Sequence, residues 1–201
     1  MQSYMKSAMP YLGVPMPATR LIARRAIAAL PPHDVGDLRD SATALWRTAA
    51  FREERYAANE LTGARMAAGR LELLPLYVEM IVTGAWWDHV DGVNPRIGDL
   101  LLAHRSEMLP LIRQWSVDPD RWLRRSSIIC QLGCRDRTDV DLLTEVVVAN
   151  LADPEFFVRK AIGWALRQYA RIDPDWVRAF VLTHEGSMSP LSRREATKHL
   201  G

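Results

Sequence analysis

Trp87 and Asp91 stand four residues apart in the run Trp86-Trp87-Asp88-His89-Val90-Asp91. On a helix an i, i+4 pair shares a face, so an indole and a carboxylate lie one turn apart. Both groups stabilise positive charge, the carboxylate by its own charge and the indole by its electron-rich face. The pair therefore suits a reaction that passes through a cationic intermediate. No second carboxylate is required when the leaving group is already activated. Trp86, Val90, Val93 and Ile97 fall at i, i+4, i+7 and i+11, an apolar stripe on a neighbouring face, which leaves Trp87 spare. Asp88 points about 60° away from Asp91 and suits the positive end of the helix dipole. On residue types alone, an edge-of-core Trp beside an exposed acid is the competing reading.

Cations form the next pattern. Lys160, Trp164, Arg167 and Arg171 follow at i, i+4, i+7 and i+11, an indole inside a basic stripe, while Val158, Ile162, Leu166 and Tyr169 turn elsewhere. Aromatics interleaved with cations suit a nucleic-acid face, and a core Trp is the alternative. The basic pairs Arg124-Arg125, Arg159-Lys160 and Arg193-Arg194 recur at offsets of 35 and 34 residues. In stacked repeats, equivalent positions line one surface, so these pairs would form a ladder matched to a phosphate backbone and sensitive to salt. They would equally serve to solvate a helix face or to pair with acids of the next repeat.

The elements that must position these residues are all helical. Periodicity predicts helices over roughly 2–9, 18–30, 37–49, 52–68, 73–83, 86–104, 106–115, 119–133, 137–150, 154–170, 173–184 and 189–199. Pro31-Pro32, Gly84 and Gly133 punctuate them, and Asp118-Pro119, Asp153-Pro154 and Asp173-Pro174 read as an N-cap followed by a first-turn proline. The segment Asp118-Pro119-Asp120-Arg121-Trp122-Leu123-Arg124-Arg125-Ser126 aligns at an offset of 35 with Asp153-Pro154-Glu155-Phe156-Phe157-Val158-Arg159-Lys160-Ala161. A looser third copy carries Arg193-Arg194. Short loops and a helix-pair period in the thirties predict an all-α protein, an α-solenoid of stacked antiparallel helix pairs over residues 1–201 as one domain.

Composition bounds the rest. The chain has 201 residues, 48% hydrophobic and 25% charged, with a formal net charge of +2, so it reads as one well-folded protein whose nucleic-acid footprint must come from charge arrangement. No run reaches the length of a membrane span and no secretory signal is legible, which predicts a cytoplasmic location. Cys130 and Cys134, four apart on one helix, suit neither a loop-closing disulfide nor a zinc site and read as small buried hydrophobes. His33, His89, His104, His184 and His199 make no ligand spacing, so neither metal nor cofactor is expected.

Taken together, Tyr4-Met5-Lys6, Tyr11-Leu12-Gly13, Trp86-Trp87-Asp88-His89-Val90-Asp91, Trp122-Leu123-Arg124-Arg125, Lys160-Ala161-Ile162-Gly163-Trp164 and Pro190-Leu191-Ser192-Arg193-Arg194-Glu195-Ala196 occur in order across nearly the whole chain. In these segments the chain resembles the AlkD-like DNA alkylation repair glycosylases, built of HEAT-like repeats. The resemblance implies a monofunctional glycosylase that removes N3- and N7-alkylated purines from duplex DNA held in a concave basic groove, without flipping the base. It implies that Asp91 is the catalytic acid, that Trp87 and Trp164 line the deoxyribose of the lesion, that Arg125 is a basic residue of the lesion site and that Tyr4 is an aromatic near the DNA. Arg124, Arg159, Lys160, Arg167, Arg193 and Arg194 are the accompanying candidates for DNA contact, and a monomer is expected. A catalytically silent relative that binds branched or damaged DNA, and a protein-binding scaffold, are the rival expectations.

Overall fold

The computed structural model describes Met5 and residues 7–200. Half of the predicted helix over 2–9 therefore lies outside the described residues; Met5 is helical and residues 7–9 are not. Among the described residues there are eleven α-helices, three short 3-10 turns and no strand. The helices are α1 (Met16–Ala29), α2 (Val35–Thr48), α3 (Arg52–Leu61), α4 (Leu74–Gly84), α5 (Trp87–Ala103) and α6 (Arg105–Ser116), followed by α7 (Arg121–Ile129), α8 (Val140–Val148), α9 (Phe156–Tyr169), α10 (Pro174–Thr183) and α11 (Pro190–Ala196). No helix among the described residues is long and apolar enough to cross a membrane. The chain divides into two compact units, Met1–Met80 and Ile81–Gly201.

In the first unit α1 and α2 both pack on α3, around Leu38, Ala42, Trp46, Tyr56 and Ala58. The extended segment before α1 is held by one buried carboxylate. Glu53 accepts the amide N–H groups of Leu12, Gly13 and Val14 at 2.9 to 3.1 Å. Gly13 sits at φ +84°, a conformation that a side chain would resist. The predicted helix over 52–68 stops at Leu61 and continues only as a 3-10 turn at Arg65–Ala67, because Thr62-Gly63 caps it.

The second unit is a stack of helix pairs. One row runs α5, α7, α9, α11, each packed on the next, and α6 packs on α7 and α8 behind it. Val90, Val93, Ile97, Ile128, Val158 and Ile162, all on the helices of this row, are almost wholly buried. The repeat period appears directly in the contacts. The Asn150 side-chain amide donates to the Ser116 carbonyl 34 residues back, and Ser192 Oγ donates to the Arg159 carbonyl 33 residues back. Ion pairs Arg105–Asp139, Arg113–Glu145 and Arg121–Glu155 tie neighbouring repeats at the surface. Close approach within the row depends on glycine: a Cβ at Gly98 would stand 2.5 Å from the Cys130 carbonyl oxygen, and one at Gly163 would stand 2.7 Å from that of Ser192.

The Asp-Pro signals divide. Asp173 caps α10 as predicted, accepting from Trp176 N–H at 2.9 Å. Asp118 and Asp153 instead fold the residues before the helix, accepting from Asp120 and Glu155 N–H at 2.8 and 2.7 Å. The caps of α7 and α9 are thus Asp120 and Glu155, two residues later than predicted, because each aspartate closes a turn of its own before the helix begins. Cys130 and Cys134 are free and buried, and burial pushes both thiols up, away from reactivity.

Candidate active site

Helix α5 begins abruptly. Ala85 holds φ +43°, a left-handed turn out of α4, and Trp86 is the extended N-cap residue. Trp86 therefore does not ride the helical stripe predicted for it. It packs instead in an aromatic cluster with Trp122 and Phe157, ring centroids 6.0 and 5.2 Å away. Val90, Val93 and Ile97 keep the stripe and are fully buried. Trp87 opens the helix half-buried, with Asp91 one turn on. Pro95 lies inside α5 and has no N–H to give the Asp91 carbonyl four residues back, so the ladder is interrupted at this residue.

Asp91 meets Arg125 of α7. Arg125 Nε donates to Asp91 Oδ1 and Nη2 to Oδ2, both at 2.8 Å, a two-pronged contact. The third prong, Nη1, donates to the Phe157 carbonyl at the start of α9 at 2.6 Å. The guanidinium carbon also lies 5.9 Å from the ring centroid of Trp164. The arginine side chain is 4% exposed and the aspartate 17%, so one buried cation joins α5, α7 and α9 beneath a carboxylate that still reaches solvent. Burial pushes the Asp91 carboxyl above the usual carboxylate range, only partly opposed by Arg125, and Asp88 adds to the rise. Each Asp91 oxygen uses one lone pair on Arg125 and keeps another for a cation or a water.

The remaining cations fall into two groups. Arg124 does not stand free: it pairs with Asp153 at 2.7 Å and donates to the carbonyls of Asp118 and Pro119, gripping both Asp-Pro turns. Lys160 and Arg167 converge on Glu195 of α11, the lysine at 2.6 Å, and Arg193 pairs with Glu185. Arg159 and Arg194 make no ion pair among the described residues. Of the basic ladder, then, four members are engaged by acids near them in the stack, as one of the alternatives anticipated. Arg171 leaves the stripe, because α9 ends at Tyr169 and the i+11 position is no longer helical. Tyr4 lies outside the described residues.

Three findings place this geometry among known proteins. The sequence model of the DNA alkylation repair enzyme family matches residues 1–200. The chain belongs to that family. Among solved structures it is similar to a predicted DNA alkylation repair enzyme from Enterococcus faecalis, with 29% identity and a TM-score of 0.86 over 100% of this chain and 93% of that one. It shares its fold with AlkD2 from Streptococcus mutans, at 15% identity and a TM-score of 0.71 over 98% of this chain and 96% of that one. No curated protein matches the chain.

Within this DNA alkylation repair protein, the structure brings Asp91, Arg125 and Trp164 together and sets Trp87 one turn from Asp91 on α5. What sequence reading missed is the scaffolding: the Phe157 carbonyl, the Pro95 interruption and the Glu195 clasp. Glu195 had a signal. It stands 35 residues after Lys160, one repeat on, where an acid opposite a base is the simplest tie between adjacent helices. The Phe157 carbonyl had none, since a backbone acceptor carries no residue type.

Proposed function

We propose that this family member is a monofunctional DNA glycosylase that hydrolyses the N-glycosidic bond of cationic N3- and N7-alkylated purines, such as 3-methyladenine and 7-methylguanine, in duplex DNA. Its place is the first step of base excision repair, as a cytoplasmic monomer acting without base flipping. The observation that carries the reading is the Asp91 carboxylate: partly open to solvent, desolvated, and fixed on both oxygens by one buried arginine.

A base alkylated at N3 or N7 carries positive charge and leaves without a general acid. The barrier is charge developing on the sugar as the bond stretches. A fixed carboxylate in a partly desolvated site stabilises that oxocarbenium-like centre and orients the attacking water through its free lone pairs. Trp87 and Trp164 add electron-rich faces worth about 0.5–2 kcal/mol each against the same cation. Arg125 serves as orienter of Asp91, since it is buried and each of its three nitrogens already donates a hydrogen bond within the protein. Among the cations, the exposed Arg194, the half-buried Arg159 and the solvent-reaching flanks of Arg124, Lys160, Arg167 and Arg193 are the candidates for phosphate contact.

The catalytically silent binder remains a second reading, because Arg125 already occupies one lone pair of each Asp91 oxygen. Release of free 7-methylguanine from methylated duplex DNA separates the two. The glycosylase reading expects release, a loss of roughly 10²–10³ in single-turnover rate for Asp91→Asn, and unchanged DNA binding. Release at the wild-type rate by Asp91→Asn would remove the role assigned to this residue.

A further inference from the structure

A cavity of about 210 Å³ opens at the far ends of α7 and α9, apart from Asp91. Ile128, Leu143 and Ala165 form its buried floor and Tyr169 one wall. Arg135 and Arg171 line it as well, both exposed and neither in an ion pair among the described residues. No carboxylate lines it among the described residues. Trp164 and Ala165 are neighbours in sequence, but adjacent helical residues point about 100° apart. Trp164 accordingly lies beside Arg125 while Ala165 faces the cavity.

The rim is built rather than incidental. Arg135 holds φ +54°, a backbone state that long L side chains rarely adopt. The loop containing it is closed by Gln131, whose amide donates to the Asp139 carbonyl at 3.0 Å and accepts the Asp139 N–H at 2.7 Å. A non-glycine residue kept in a strained conformation by its surroundings points to a use for its side chain. An apolar floor with an aromatic wall, and two guanidinium groups that stand in no ion pair among the described residues, select a ligand of matching polarity.

We propose that this cavity is a second binding site, taking a small organic anion with an aromatic or branched apolar body and one phosphate or carboxylate group. The body rests on Ile128, Leu143, Ala165 and Tyr169, and the anion is held by Arg135 and Arg171. The site is independent of the glycosylase reading and stands or falls without it.

Phenyl phosphate is the probe. Titrated into the full ¹⁵N-labelled chain, it should produce saturable amide shifts confined to the segments around 128–143 and 165–172. Arg135→Gly suits the left-handed backbone and so keeps the fold while removing one guanidinium. This variant and Arg171→Gln should each weaken binding by about tenfold. Ala165→Leu should block the floor, with thermal unfolding as the check that it remains folded. Inorganic phosphate and benzyl alcohol, each carrying half of the ligand, should bind at least about tenfold more weakly. Equal binding of inorganic phosphate would reduce the cavity to an adventitious anion site and overturn the proposal. So would undiminished binding by both arginine variants, an absence of saturable shifts, or displacement of phenyl phosphate by duplex DNA together with an equal loss of DNA affinity in Arg171→Gln.

Discussion

Asp91 and Glu195 are carboxylates of similar exposure, 17% and 13%, each clasped by cations from the adjacent helix of the same row. Their acidities nevertheless move in opposite directions. At Asp91 burial outweighs one arginine and the carboxyl rises above the ordinary range. At Glu195 the lysine outweighs burial, Arg167 adds to it, and the carboxyl falls. A carboxylate with one cation in a deep setting is held ionised at a cost; a carboxylate with two cations is content to be ionised. The first arrangement suits a group that must meet developing positive charge, because its own charge is under-compensated. The second suits a strut.

Arg125→Gln tests this contrast at its most strained point and should have the largest effect. It removes the partner of a buried acid, a loss of about 3–5 kcal/mol in stability when one member of a buried pair is deleted. With the favourable contact gone and burial unchanged, the Asp91 carboxyl must rise further. On the proposed glycosylase reading the ionised form is the one that acts, so base release should climb with pH through the raised value, and the variant's rising limb should shift to higher pH. A limb that stayed in place would show that Arg125 does not govern the ionisation of Asp91. In the wild type, because the folded value lies above the unfolded one, this group's contribution to stability is present in acid and lost as pH rises through the folded value.

Next in size is Gly163→Ala, which attacks the strut. The added Cβ would meet Glu195 Cβ at 2.4 Å and the Ser192 carbonyl oxygen at 2.7 Å, so α11 must move off α9. Overpacking of this kind costs about 1–3 kcal/mol, measurable by denaturant unfolding. Trp164 sits beside Gly163, yet the Asp91–Arg125 pair lies on the other helices, so the pH limb should stay in place while stability falls. Movement of both would mean that the strut and the site are one device.

These two contrasts also explain what was legible in the sequence. The Trp87–Asp91 spacing and the repeat in the thirties were readable because side-chain type recurs with helical period. That Asp91 and Arg125 share a site follows only from the family resemblance, and their direct contact was not legible at all, since a contact 34 residues away depends on how helices stack. Arg124, Lys160 and Arg167 read as DNA cations because basic residue types are visible in the sequence, whereas Asp153 reads as a helix cap and Glu195 carries no role there, so neither ion pair is anticipated. The Arg171 misplacement has the same origin: periodicity carried the stripe past Tyr169, where the backbone stops being helical.

Glu195→Gln separates the two uses of those cations. If Lys160 and Arg167 are struts, losing the acid removes a partly solvent-screened pair and costs about 1 kcal/mol or less. That loss should vanish in acid: the folded value is depressed, so the stability is present above the unfolded value and disappears as pH falls through the folded one. If the same cations reach phosphate, the neutral variant should bind random duplex DNA more tightly, with a steeper dependence on salt. Unchanged affinity and salt slope would assign both residues to the scaffold and leave Arg159, Arg194 and the flanks of Arg124 and Arg193 as the candidates for the grip.

The smallest expected change lies at the entrance to α5. Ala85 occupies φ +43° immediately before Trp86 and is exposed, so its side chain contributes strain without packing. Glycine removes the clash between Cβ and backbone, worth about 1–2 kcal/mol, but adds about 0.5–1 kcal/mol of unfolded-chain entropy. Ala85→Gly should therefore be stabilising by a few tenths of a kcal/mol up to about 1 kcal/mol in thermal unfolding. The informative reading is the rate of base release beside it. If the left-handed turn serves only to change direction between α4 and α5, the rate is unaffected. If the stiffness of alanine there helps hold Trp87 and Asp91 in register, the variant is more stable and slower, the same exchange of stability for a fixed geometry that Asp91 itself embodies and Glu195 does not.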